Sequence, residues 1–294
     1  MVENEVKGIQ ASSNIAQKLT EFRVKYPYKE LQVENVVWEY IICGKGKEAI
    51  LFLTGGIGTA EGWFLHILNL ENDYQMVAID YPPVYSMKKL CSGIKSLLET
   101  ENIIKVHIIG HSLGGMVAQA FLYHYPEYVD TLILSHTAGN LPNFGEKSRM
   151  RRMRRLKKNI RVLKFIPMWL FRSYLLKSSE KSLQNYDPLE AEAFKPLIAE
   201  ILRKSTRKQL LSKSKVMLDF LINYTLTAES FSTWTGNVLI LESDDDESIG
   251  PEEREALKLT FKEAKVHNFH GTGHTSIFNQ RDETISLIRA FLMK

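Results

Sequence analysis

The stretch from Lys105 to Gln119, KVHIIGHSLGGMVAQ, limits what this chain can fold into more than any other. Val106 to Ile109 reads as a buried strand running into Gly110, and Leu113 to His124 reads as a helix rich in small residues. A strand that passes into a helix across so few residues forces the corner residue, Ser112, into a strained backbone conformation. Strand and helix can then approach each other only if positions 110 and 114 are small, and both are Gly. The serine hydroxyl is presented at the helix N-terminus, the arrangement of a nucleophile elbow.

Strand and helix patterns alternate on both sides of this corner. Glu30 to Glu34 and Val36 to Ile42 read as a hairpin around Asn35, and Ala49 to Leu53 is an apolar run stopped by Thr54-Gly55-Gly56, as in a strand buried on both faces. Helices at Trp63 to Leu70 and Met87 to Glu99 flank a strand at Gln75 to Ile79, and Thr131 to Leu134 is the sixth strand. From about 140 to 235 the alternation stops and the segment reads as helical, punctuated by Pro142, Pro167, Pro188 and Pro196. Strands return at Val238 to Leu241 and Lys265 to Phe269, with helices from Pro251 to Phe261 and from Ser276 to Met293. The expectation is an α/β fold with a mostly parallel central sheet of about eight strands. Its core comprises residues 1–139 and 236–294, with a helical cap inserted at 140–235 after the sixth strand. A site is expected at the C-terminal ends of the strands.

Composition excludes some functions. Cys43 and Cys91 are the only cysteines, far apart and without Cys or His at ligand spacing, so neither a disulfide framework nor a zinc site is indicated. The N-terminal stretch lacks the basic start and apolar run of a secretory signal, and no eighteen apolar residues run together, which makes a cytoplasmic location the default. A net charge of +4 is too small for nucleic-acid binding unless it is concentrated.

Gly110-His111-Ser112-Leu113-Gly114 in this context resembles the α/β-hydrolase superfamily, and the order of strands, elbow, helical insertion and late acid and histidine extends the resemblance over nearly the whole chain. Ser rather than Asp at the elbow points away from dehalogenase and epoxide-hydrolase chemistry. A serine hydroxyl needs a base, and the base needs an anion to hold its tautomer. The resemblance implies His274, in His270-Gly271-Thr272-Gly273-His274, as base, with His270 at the strand end as the alternative. His111, beside Ser112, is expected to pack against the elbow. The acid is expected after the Val238 to Leu241 strand, where matching the turn at Ser243 selects Asp246; Asp245 and Asp244 are the alternatives, with a solvated turn as their other reading. An oxyanion hole would use the backbone N–H of Leu113 and one from Thr54-Gly55-Gly56-Ile57-Gly58, with Gly56 preferred and Ile57 the alternate. Losing one such donor typically costs about 3 kcal/mol.

Asp80-Tyr81-Pro82-Pro83, where many relatives carry Asp-x-Arg-Gly, together with the Phe22-Arg23 to Tyr28 segment, resembles maspardin-like proteins. That resemblance implies a non-catalytic, partner-binding role, in a protein whose position matching His274 is not His. Here Ser112, Asp246 and His274 are present together, so the reading is a serine hydrolase of a carboxylic ester or thioester with a hydrophobic acyl group, working without metal or organic cofactor. A maspardin-like binding protein is the alternative.

Between Lys147 and Lys164 the chain is rich in Arg and Lys and holds no acid, while Met150, Met153, Leu156, Ile160 and Leu163 recur every three or four residues. This amphipathic helix is expected to pack its apolar stripe over the site with its basic face in solvent. Peripheral contact with an anionic membrane through 147–164 is a second reading, recognition of an anionic acyl substrate a third. Nucleic acid is excluded as a partner, since no binding motif accompanies the charge.

Overall fold

The hairpin forms from β1 (Lys29–Val33) and β2 (Val36–Gly44) in a computed structural model that describes residues 15–293. The polar N-terminal stretch before residue 15 lies outside them. Val33 pairs with Val36 across a two-residue turn in which Glu34 has φ +52°, the left-handed geometry that two-residue hairpins require. Six further strands complete the sheet: β3 (Ala49–Leu53), β4 (Gln75–Asp80), β5 (Val106–His111), β6 (Val129–Ser135), β7 (Asn237–Ser243) and β8 (Lys265–Phe269). Their order is β1-β2-β4-β3-β5-β6-β7-β8, antiparallel only at β1-β2 and β2-β4. The chain leaves β3 towards one edge and β5 towards the other, so the C-terminal ends of these two strands flank the crevice where ligands bind in open α/β sheets.

The strands are apolar throughout because both faces are covered. Leu51, Leu53, Val77, Ile79, Ile108 and Leu132 join one core, and the alternate residues Ile50, Phe52, Met76, Ala78, Ile109 and Ile133 join the other. The second core is closed by α1 (15–25) and α2 (Phe64–Leu70). The first is closed by α3 (Met87–Thr100) and α4 (Leu113–His124), whose residues from Leu113 to Leu122 are all buried. Cys43 and Cys91 are both buried free thiols.

Four helices intervene between β6 and β7: α5 (Glu146–Phe165), α6 (Met168–Ser182), α7 (Pro188–Lys204) and α8 (Arg207–Asn223). Their starts follow local rules. The Asp187 side chain accepts from the N–H groups of Leu189 and Glu190 with Pro188 in the first turn, and Thr206 and Gln209 form a reciprocal capping box. Pro196 does not punctuate; it lies inside α7.

The remaining helices are α9 (Pro251–Thr260), α10 (Ser276–Asn279) and α11 (Arg281–Leu292). The apolar stripe of α5 is buried at Leu156, Ile160 and Leu163, but it turns towards α8 and α9 rather than over the elbow. That corrects the sequence expectation: period fixes which face is apolar, not what covers it. The single helix expected from Ser276 to Met293 is two. Gln280 leaves the helical region at φ −110° and ψ 43°, and its carbonyl accepts from the Thr284 N–H to start α11 afresh. Among the described residues no helix is long and apolar enough to cross a membrane.

Gly93 in α3 lies against the buried indole of Trp38, and a Cβ there would fall 1.9 Å from the ring. In an exposed helix Gly→Ala stabilises by about 1 kcal/mol. Here overpacking reverses the sign, and Gly93→Ala is expected to lower stability by about 1–3 kcal/mol, read as a lower urea midpoint.

Candidate active site

Ser112 stands at the β5–α4 corner with φ +54° and ψ −114°. The conformation is held from both sides: the Ser112 N–H donates to the Ser135 carbonyl at 2.9 Å and the Thr137 hydroxyl donates to the Ser112 carbonyl at 2.7 Å. Small neighbours are obligatory. A Cβ on Gly114 would sit 2.0 Å from the Leu53 carbonyl oxygen, and one on Gly110 would sit 2.5 Å from that of Gly114.

Ser112 Oγ is 3.0 Å from His274 Nε2, and His274 Nδ1 is 2.8 Å from Asp246 Oδ2. An ionised carboxylate only accepts, so the Nδ1 proton points to Asp246, and Nε2 is left to accept from the serine hydroxyl. The Asp246 side chain is fully buried, its other oxygen accepting from the N–H groups of Ser248 and Ile249. Burial works to raise the Asp246 pKa, but the hydrogen bond and charge of His274, with the Ile249 N–H, outweigh it and hold the group below the ordinary Asp value. The carboxylate facing His274 is thus that of Asp246, not Asp245 or Asp244.

Those two acids are not an idle solvated turn. Asp245 Oδ1 accepts from the Gly273 N–H at 2.8 Å and from the Ser243 hydroxyl. Asp244 accepts from the Gly271 N–H at 3.0 Å and pairs with His270 Nδ1 at 2.8 Å. Both sit below the ordinary Asp value, Asp244 chiefly through Gly271 and Asp245 chiefly through Ser243. Three consecutive carboxylates therefore hold three successive points of the loop that carries His274. Gly271 and Gly273 bend that loop at φ +66° and +69°. His270 points away from Ser112, 78% exposed.

Sequence reasoning placed His111 against the elbow but missed that it belongs to a ring of buried histidines. His136, bonded to the hydroxyls of Ser135 and Ser276, and His111 each lie within 6.0 Å of the His274 ring centre. His66 donates its Nε2–H to the Ile277 carbonyl at 2.9 Å. Burial drives all three down, His136 to about 3 and His66 to about 4, with His111 also opposed by the charge of His274. They stay neutral and do not oppose an imidazolium at His274. No local signal marked the clustering, because the contacts join positions far apart in the chain.

The loop after β3 lies across from the elbow. An added Cβ on Gly55 would be 3.6 Å from Ser112 Cβ, while the space around Gly56 is open. Gly58 closes a turn onto the Gly55 carbonyl, and its own carbonyl accepts from Lys213 Nζ of α8 at 2.8 Å. Behind it Asp80 accepts from the Ala60 N–H and the Tyr28 hydroxyl, and burial raises its pKa to about 6. Arg23 forks onto Glu61 beside them. The two segments that set this sequence apart from the Asp-x-Arg-Gly pattern therefore buttress one loop.

Ser112 and His274 open onto a cavity of about 370 Å³, within the range of small-molecule sites. Its walls are Trp63, Leu65 and Phe278 from the core, with Phe194, Leu197 and Met217 among those from α7 and α8. The end of α6 contributes Ser179 and Ser182, and α5 contributes nothing. Of the four helices between β6 and β7, α6 to α8 wall the cavity.

A family model described as the α/β hydrolase fold matches residues 48–280, and the chain belongs to that family. Over 134 residues it is 31% identical to maspardin of Danio rerio, covering 42% of this chain and 43% of that protein, so the match spans under half the relative's length. Over 311 residues it is 24% identical to a 2-hydroxy-6-oxononadienedioate/2-hydroxy-6-oxononatrienedioate hydrolase of Dechloromonas aromatica (strain RCB), covering 95% of this chain and 99% of that one. The crystal structure of a hydrolase from Pseudomonas aeruginosa PA01 superimposes with a TM-score of 0.74 at 17% identity, covering 90% and 98% of the two chains. That likeness shows a shared fold.

The buried histidines set a pH dependence. Their folded pKa values lie below the unfolded value, so the unfolded chain binds more protons as pH falls below about 6.5. Stability is then lost progressively from pH 6.5 downwards, by up to about 1.4 kcal/mol per pH unit for each histidine. Asp80, raised to about 6, works oppositely and offsets part of one. Calorimetry is expected to show Tm falling between pH 6.5 and 5, with a shallower slope in His136→Gln.

Proposed function

We propose that this chain is a serine hydrolase that cleaves a carboxylic ester or thioester with a hydrophobic acyl group, through an acyl-enzyme. The observation that carries the reading is the relay at 3.0 and 2.8 Å ending at a hydroxyl that faces an apolar cavity. In this reading Ser112 Oγ attacks the carbonyl carbon as His274 Nε2 takes its proton, and the buried Asp246 charge stabilises the imidazolium. The oxyanion is received by the N–H groups of Leu113 and Gly56. His274 returns the proton to the leaving oxygen or sulfur, then activates a water that releases the acid and restores Ser112.

The apolar walls from Trp63, Phe194, Leu197 and Met217 support an acyl group held chiefly by burial, although Arg281 also lines the cavity. At about 25 cal/mol per Å² of apolar area, each added methylene is worth roughly 0.8 kcal/mol until the cavity is full. Similarity to a dienedioate hydrolase over nearly the whole chain supports hydrolysis as the reaction class without naming the substrate.

The test is a p-nitrophenyl ester series of increasing chain length alongside a fluorophosphonate probe. Wild type is expected to take the label and to show kcat/KM rising with chain length and then falling. Ser112→Ala is expected to lose label and turnover, and Asp246→Asn to lower kcat by roughly three to four orders of magnitude. The likeness to maspardin favours a second reading, a partner-binding protein without turnover. Folded wild type that neither labels nor hydrolyses any ester in the series would overturn the first reading, and capture of a partner unaffected by Ser112→Ala would support the second.

A further inference from the structure

The charge on this molecule is segregated. Ten of its 38 Lys and Arg residues fall between 147 and 164 with no Asp or Glu among them, so the rest of the chain is net acidic although the whole carries +4. On α5 only two of these arginines are engaged by acids: Arg152 by Glu253, and Arg149 by Glu146. Arg151, Arg154, Arg155, Lys157, Lys158, Arg161 and Lys164 make no ion pair among the described residues, and all are exposed.

Helical geometry orders them. With Leu156, Ile160 and Leu163 turned inwards, Arg154, Lys158, Arg161 and Phe165 follow at intervals of four, three and four on the opposite side. An apolar ring thus ends a basic stripe. Phe165 is 85% exposed, and just past the Pro167 corner α6 presents Trp169 at 66%, Leu170 at 41% and Tyr174 at 60%. The corner is not loose chain: Arg207 of α8 donates to the carbonyls of Leu163 and Ile166, and Arg172 donates to that of Ser205. A corner whose backbone is already pinned need not be ordered on binding, which spares that part of the entropy cost.

From this juxtaposition we propose that the α5–α6 corner is a docking surface for an anionic phospholipid membrane. The stripe of Arg151, Arg154, Lys158 and Arg161 meets the headgroup charge, and Phe165, Trp169 and Leu170 enter the boundary with the acyl chains. Basic residues flanking exposed Phe, Trp and Leu are what interfacial helices use: charge attracts, and apolar burial retains. The aliphatic Val162 and Leu170 at the same surface fit acyl chains rather than stacked bases. The far end of α6 lines the cavity at Ser179 and Ser182, so the helix that starts at the docking corner ends in the cavity wall. This surface stands apart from the proposed hydrolysis, since neither α5 nor the exposed corner lines the cavity that holds Ser112 and His274.

Co-sedimentation of the full chain with vesicles tests it, comparing phosphatidylcholine alone with vesicles holding about a third phosphatidylserine. Wild type is expected to sediment with the anionic vesicles only, less so as salt rises, with a blue shift of tryptophan emission. The combined variant Arg151→Gln, Arg154→Gln, Lys158→Gln and Arg161→Gln should bind weaker by roughly fivefold per charge, two to three orders of magnitude in all. Phe165→Ser with Trp169→Ser should weaken binding at least roughly tenfold and remove the blue shift. Near-ultraviolet circular dichroism should remain native in both. Salt titration of wild type keeps the test decisive if the fourfold variant loses its fold. Wild type that ignores anionic vesicles at low salt, or binding that survives both variants, overturns the proposal. So does capture of the basic stripe by an oligonucleotide or by a second copy of the chain while vesicles remain unbound.

Discussion

At the junction of β5 and α4 the backbone of Ser112 is held at a positive φ that L residues avoid, and the sheet is arranged around keeping it there. The Gly114 contact with the Leu53 carbonyl brings α4 down onto β3, and the Ser135 carbonyl and Thr137 hydroxyl fix the corner from β6 and the turn beyond it. A strained residue costs on the order of 1–3 kcal/mol and persists only where its surroundings over-determine it. Here that over-determination comes from three adjacent strands buried on both faces, whose packing supplies far more than the strain consumes. The hydroxyl is therefore exposed to the crevice by a core that has no freedom to withdraw it.

Electrostatics around the corner follow from the same burial. A fully buried carboxylate is tolerated because three donors reach it, two of them backbone N–H groups of its own turn. The surrounding histidines are buried too deeply to charge, whereas His274 between them is partly open to the cavity. Exposure thus separates the imidazole that faces Ser112 from its buried neighbours.

Much of this was legible in the sequence, and the reasons are physical. Apolar runs ended by glycine give strands buried on both faces, and β8 and α4 fall where periodicity and their flanking residues put them. The Gly-x-Ser-x-Gly corner carries its own steric logic, so Ser112 could be read locally. His274 and Asp246 needed the family resemblance, because nothing local says that loops after β7 and β8 meet. The acids at 244 and 245 offered a signal, three carboxylates in a row, but its meaning depends on which amides they face. The cap was legible as helical and not as architecture: the apolar stripe of α5 turned out to serve α8 and α9, while α6 to α8 wall the cavity. The break at Gln280 left no proline or glycine to announce it.

The pairing of Asp244, Asp245 and Asp246 with residues 271, 273 and 274 behaves like a toothed register between two loops. Side chains around it can be exchanged one at a time, each exchange disturbing a single tooth. Inserting or deleting one residue between Ser243 and Asp244 slips every tooth together. The segment is therefore open to drift in composition and closed to drift in length, the reverse of what a surface loop usually permits.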